Sequence, residues 1–229
     1  GIPKKTPKPQ PTPSPTPTDT EAQQAKDNFK INKEPFQLLA DDVIAKLDSK
    51  KPEEKVDLKQ SFVVNLDGTL TKEGKFDAQK TRFIKGEGNE QMVNVAKKAI
   101  EALGDSTIFG YLQGLGVDKV NITLVQDDKQ ISAVIRSNQP TEEKARTVSS
   151  GFNGFIALAN YNTKDDSEVQ ALLKAVKVKA DGKSFVINFA MPKDQAHQLI
   201  DKKLQEARQK KSQPNSGEGA KESATAKTK

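Results

Sequence analysis

The sequence predicts an α+β fold: an antiparallel or mixed sheet assembled from β-hairpin plus helix units, with the helices mainly on one face. Three observations carry that prediction. Val120–Gln126 and Gln130–Ser137 alternate apolar with polar residues, the two-residue period of strands with one buried side. Extended runs of this kind come in pairs around short Asp-bearing segments. Each pair is followed by a stretch whose apolar residues recur at three- and four-residue steps, as an amphipathic helix requires.

The chain begins with Pro3, Pro7, Pro9, Pro11, Pro13, Pro15 and Pro17 set among Lys, Gln, Thr and Ser. Proline has no amide proton to give a helix or sheet, so 1–34 is expected as an extended tether rising about 3.1 Å per residue. Pro35–Leu47 then predicts a short helix that packs on the sheet as a lid. Phe36, Leu38, Leu39, Val43, Ile44 and Leu47 are its candidates for burial, and Lys50-Lys51-Pro52 stops it.

The first hairpin is placed around Leu66-Asp67-Gly68-Thr69, because an Asp-Gly pair suits a two-residue turn that needs positive φ. After Gly86-Glu87-Gly88, Asn89 caps a helix with Met92, Ala96, Ala99, Ile100 and Leu103 inward, and Gly104 ends it. Ser106–Leu115 is a short helical turn closed by Gly116.

The second pair joins at Asp127-Asp128 and buries Ile122, Leu124, Ile131, Ala133 and Ile135. Pro140 introduces the clearest amphipathic helix, with Ala145, Val148, Phe152, Phe155, Ile156 and Ala159 on one face. A shorter helix covers Ser167–Val176. The third pair, Val176–Lys179 and Ser184–Ala190, bends at Ala180-Asp181-Gly182-Lys183. Pro192 opens the last helix, which points Ala196, Leu199, Ile200 and Leu204 inward, and 210–229 is a disordered basic tail. Each unit alone holds too few apolar residues to close a core, so 35–209 is expected as a single domain.

The net charge is +6, but residues 1–34 and 205–229 carry five of those charges and 35–204 only one. A phosphate-tracking groove needs a one-signed patch on a folded face, so nucleic acid is not an expected partner. The chain has no cysteine, which removes disulfides, thiolate nucleophiles and cysteine metal sites. No apolar run reaches about 18 residues, so nothing in it predicts a membrane span. The opening on Gly1-Ile2-Pro3 and a spacer is the arrangement expected behind an export signal or anchor N-terminal to Ile2. A periplasmic or exported location is therefore expected, with membrane contact only through that removed segment.

No constellation for catalysis stands out. Gly86-x-Gly88 lacks the third glycine of a dinucleotide cradle, since Gln91 stands there, and reads as a turn with a helix cap. His197 is the only histidine, and with no cysteine and no second imidazole it reads as an ordinary residue at the edge of the last helix's apolar stripe. The pairs Asp41-Asp42, Asp127-Asp128, Glu142-Glu143 and Asp165-Asp166 lack calcium-loop spacing. Ser149-Ser150-Gly151 falls within a helix instead of on a nucleophile elbow. No catalytic, cofactor or metal residue is predicted. Phe152, Phe155 and Ile156 form the one candidate ligand or partner surface, weighed against the commoner role of such a stripe as core.

Residues Val63–Gly68 and Val93–Leu103, an extended run with a central Asp-Gly and an Ala-rich helix face behind a Pro/Lys-rich spacer, resemble the C-terminal domain of TonB/TolA-type envelope proteins. The resemblance implies a non-enzymatic envelope module on a tether whose partner is another envelope protein, captured at a sheet edge of the first or third hairpin. The alternative is a small-molecule or lipid carrier of the envelope, with its ligand between the sheet and the helix of Phe152.

Overall fold

A computed structural model describes residues 32–212. The expected tether, through residue 31, and the tail from residue 213 lie outside the described residues. The elements run α1 (Glu34–Leu47), β1 (Phe62–Thr69), β2 (Arg82–Gly88), α2 (Glu90–Asp105), α3 (Gly110–Gly114), β3 (Lys119–Gln126), β4 (Gln130–Asn138), α4 (Glu142–Asn162), α5 (Ser167–Lys174), β5 (Val176–Asp181), β6 (Ser184–Pro192) and α6 (Lys193–Ser212). All six strands form one antiparallel sheet in the order β2-β1-β3-β4-β6-β5. Three hairpins thus lie side by side, with β1 pairing β3 and β4 pairing β6 at the seams. The α+β class and the hairpin-plus-helix plan are both present.

Register decides which residues share a face, because directly opposed residues of antiparallel strands point the same way. Phe62, Val64 and Leu66 of β1 align with Gln126, Leu124 and Ile122 of β3, and those with Ile131, Ala133 and Ile135 of β4. Met191, Phe189 and Ile187 of β6 continue the rows to Val176 and Val178 of β5. The sheet residues of the core cluster all come from this face. α2 packs on it over β1 and β2, α6 over β4 and β6, and α4 over β5 and β6. The opposite face carries no helix among the described residues.

Two of the three expected bends are in place. Asp127 turns β3 into β4, its carboxylate accepting from the Lys129 and Gln130 amides at 2.7 and 2.8 Å. Asp181 pairs with Ser184 across Gly182-Lys183, with Gly182 at φ +56°. The bend at Asp67-Gly68 is absent. Both residues sit inside β1, where Asp67 pairs with Arg82 and Asn121 and Gly68 with Val120. The chain turns later, through Thr71–Lys75, where the Thr71 amide donates to the Lys75 carbonyl at 2.8 Å.

Glycine at position 68 serves packing. A Cβ there would stand 2.9 Å from the ring of Phe76, and one at Gly104 would stand 2.1 Å from the same ring. Phe76 is therefore slotted between two glycines, and its ring lies 5.4 Å from that of Phe109. Gly104 consequently lies within α2, which continues to Asp105 instead of ending there. The slot outweighs the local preferences of both glycines because an interior position has no room for a side chain.

Other expectations shift less. Asn89 caps α2, accepting from the Met92 amide at 3.1 Å, and Thr141 and Asp166 cap α4 and α5 in the same way. α1 packs on α2 and α6 instead of lying on the sheet as a lid, and Leu38 is 63% exposed. Ion pairs fix α1 there: Asp42 to Lys98 at 2.9 Å, Asp48 to Arg208 at 2.9 Å and Asp41 to Lys211 at 2.8 Å. Burial pushes the Asp42 carboxyl up, but hydrogen bonds from Lys98 and Lys46 outweigh that and hold it below its ordinary value. α6 runs to Ser212, past the expected tail boundary at 210, and buries His197 where Ile200 was expected.

Candidate functional site

The helix-free face is a ruled surface of side chains. By register, Arg82, Asp67, Asn121, Arg136, Val186 and Lys179 form one row across all six strands. Lys85, Asn65, Thr123, Val134, Asn188 and Lys177 form the next. Asn65 and Asn121 exchange amide hydrogen bonds at 3.1 Å, Asn65 also donates to Thr123 Oγ1 at 2.6 Å, and Asn121 donates to Asp67 Oδ1 at 2.8 Å. This ladder ties β1 to β3. Arg136 reaches over β6 to Asp181 of β5 at 3.6 Å, and Val186 beneath it is 1% exposed although it lies outside the core cluster. Among the described residues no Phe, Tyr or Trp lies on this face, so its strands offer no platform for stacking bases.

Among the described residues the sheet ends in two open edges, β2 and β5, which belong to the first and third hairpins. In β2, Leu66 opposes Phe83 while Asn65 opposes Lys85, so Ile84 is the extra residue of a bulge. Ile84 is 56% exposed. The Asn89 amide donates to the Ser61 carbonyl at 3.2 Å, which makes Phe62 and Gly88 a pair without mutual hydrogen bonds. By strict alternation the backbone groups of Lys85 and Glu87 turn in toward β1, and those of Gly86 and Gly88 point out of the sheet. Lys85 and Glu87 share the helix-free face and pair with each other at 2.9 Å.

The residues singled out from sequence fall elsewhere. Phe152 and Phe155 lie 5.7 Å apart, centroid to centroid, in a cluster with Tyr111 and Phe185. Tyr111 stacks on Phe155 at 4.6 Å, and Phe152 meets Phe185 edge-on at 5.9 Å. Ile156 is half-buried beside them in α4. The Tyr111 hydroxyl donates to the Gly151 carbonyl at 3.1 Å, and burial raises its pKa. These rings satisfy one another, which is how core aromatics behave.

His197 is buried, and its Nε2 has no hydrogen-bond partner among the described residues. Burial lowers its pKa, with Asp201 opposing that shift and Lys193 and Lys59 adding to it. Ser149 is likewise buried, and its hydroxyl lacks a partner. The acidic pairs serve caps, turns and helix ion pairs. Among the described residues no group of His, Asp and Glu could hold a metal ion.

A cleft of about 380 Å³ opens between α5, the end of β6 and the start of α6, lined by Ser167, Ala171, Lys174, Ala190, Met191 and Gln195. It brings no convergent set of polar groups together. No helix among the described residues is long and apolar enough to cross a membrane. No protein-family model, no curated protein and no solved structure matches the chain.

Sequence reasoning expected an edge in the first or third hairpin, where the two edges lie, but it missed which residues of the first hairpin form it. It placed Gly86-Glu87-Gly88 in a turn before the helix, whereas all three belong to the strand. The usable signal was the alternation itself: Lys85 and Glu87, two residues apart with a glycine between them, share one face of an extended chain.

Proposed function

We propose that the chain is a non-enzymatic cell-envelope protein that displays this α+β module on its proline-rich segment and binds another protein by strand addition at β2. The observation that carries this reading is the β2 edge. It combines outward backbone groups at Gly86 and Gly88 with an exposed apolar residue, Ile84, which is the combination a bound strand uses: main-chain hydrogen bonds for affinity and side chains for choice of partner. The resemblance of Val63–Gly68 and Val93–Leu103 to TonB/TolA-type domains supports the envelope setting. The carrier alternative needs empty space beside Phe152, Phe155 and Ile156, and there the rings pack on Tyr111 and Phe185.

A photo-reactive residue in place of Ile84 in the full chain tests this in cells. The expected result is cross-linking to a discrete protein that the same probe at Tyr161, a more open position on α4 at 74% exposure, does not capture. Identical labelling from both positions contradicts the reading.

A further inference from the structure

Resting on β2 as the binding edge, we propose that its partner is a second copy of this chain, joined by antiparallel β2–β2 pairing about a twofold axis at Gly86. The backbone selects this axis first. An axis through hydrogen-bonded residues needs amides and carbonyls that point outward, and alternation turns those of Gly86 outward. The side chains select the same register. Around Gly86, Lys85 of one copy lies directly opposite Glu87 of the other, and the relation repeats on the far side of the axis.

An axis one residue away, at Lys85, fails on both counts. It sets Lys85 against its own copy, and it centres on backbone groups already turned toward β1. Opposed like charges on adjacent strands destabilise, and opposed unlike charges stabilise.

Shape agrees with charge. Ile84 falls opposite Gly88, so its exposed side chain meets backbone with no side chain in the way, and Gly86 at the axis has no side chain of its own, its Cβ place being taken by Val93 and Lys97 of α2. The pairing preserves the faces: the helix-free surfaces of the two copies join into one continuous sheet of twice six strands. The overlap from Ile84 to Gly88 closes two backbone hydrogen bonds at the axial Gly86 pair and up to two more at each flanking Ile84–Gly88 pair. That seam is smaller than the 1,200–2,000 Å² or so of a standard interface, so dissociation constants on the order of 10–100 µM are expected.

Charge reversal tests the register in the full chain by sedimentation from about 5 to 500 µM, a span that brackets that affinity. Lys85→Glu and Glu87→Lys each weaken association about tenfold, by setting like charges opposite. The double reversal restores it. Both side chains are exposed, so folding is not at stake. The native chain has no cysteine, so Lys85→Cys mixed with Glu87→Cys gives a disulfide-linked heterodimer on mild oxidation.

A chain that is monomeric across the range, or a dimer indifferent to the charge reversals and without that cross-link, overturns the inference. If Ile84 still captures another protein while the chain stays monomeric, self-pairing is overturned and the protein-binding reading stands.

Discussion

β2 and β5 close the two sides of one sheet, and both leave alternate backbone groups pointing outward. In β5 the Ala190 amide donates to the Ala175 carbonyl at 3.2 Å, so Val176, Val178 and Ala180 present the outward groups. A twofold at Val178, the register that overlaps the whole strand, sets Lys177 opposite Lys179 twice. The same operation at Gly86 of β2 sets Lys85 opposite Glu87. Lysine on an edge is a common guard against strand addition, and β5 carries two on one face. Edge chemistry here rests on the alternate side chains two residues apart, since the backbone pattern is common to both.

The edges also rest on different supports. β5 and β6 lie under α4 through the Phe152–Phe185 contact, so Phe185→Ala should cost about 3–5 kcal/mol in chemical denaturation, the usual range for a fully buried ring. β2 depends on the 70–81 loop held by Phe76. Gly104→Ala drives a methyl into that ring and should cost about 1–3 kcal/mol. Exchange of the inward amides of Lys85 and Glu87 should then rise while those of Lys177 and Lys179 stay protected. Equal loss on both sides would mean that the slot supports the whole sheet instead of one edge.

Smaller changes sharpen the contrast. Asn89→Ala removes the cap that starts α2 directly after β2, and Asp166→Ala removes the cap of α5 just before β5, each at about 1 kcal/mol by thermal unfolding. Lys179→Glu in a Lys85→Glu background gives β5 an unlike pair in place of the like one. Association should move to β5, gaining about 0.2–1 kcal/mol per pair, and sedimentation would read it.

Acid should act on the shared centre and leave the choice of edge alone. His197 has its folded pKa below the ordinary value of 6.5, chiefly through burial. Its neutral form therefore stabilises the fold above 6.5, and that contribution is lost as pH falls from 6.5 toward the folded pKa. His197→Gln should flatten the stability profile in that window.

Much of the fold was legible because the period-two and period-3.6 patterns survive in strands and helices with one buried side. Val120–Gln126, Gln130–Ser137 and the α4 stripe illustrate it. Asp67-Gly68 and Gly104 misled for one reason: a glycine that makes room for a ring, here Phe76, looks in sequence like a glycine that frees the backbone. Ile200 and His197 differ by less than one helical turn, so which of them turns inward depends on how α6 rolls against β4 and β6. An edge in the first or third hairpin was legible, but which strand forms it was not, because strand order, which alone makes a strand an edge, is set by long-range pairing of β1 with β3.

Amide hydrogen exchange of the full chain at rising concentration reads both edges at once. The account predicts that Gly86 and Gly88 become protected as the chain is concentrated, while Val178 and Ala180 continue to exchange freely. Protection gained at Val178 and Ala180, or none at Gly86, would contradict it.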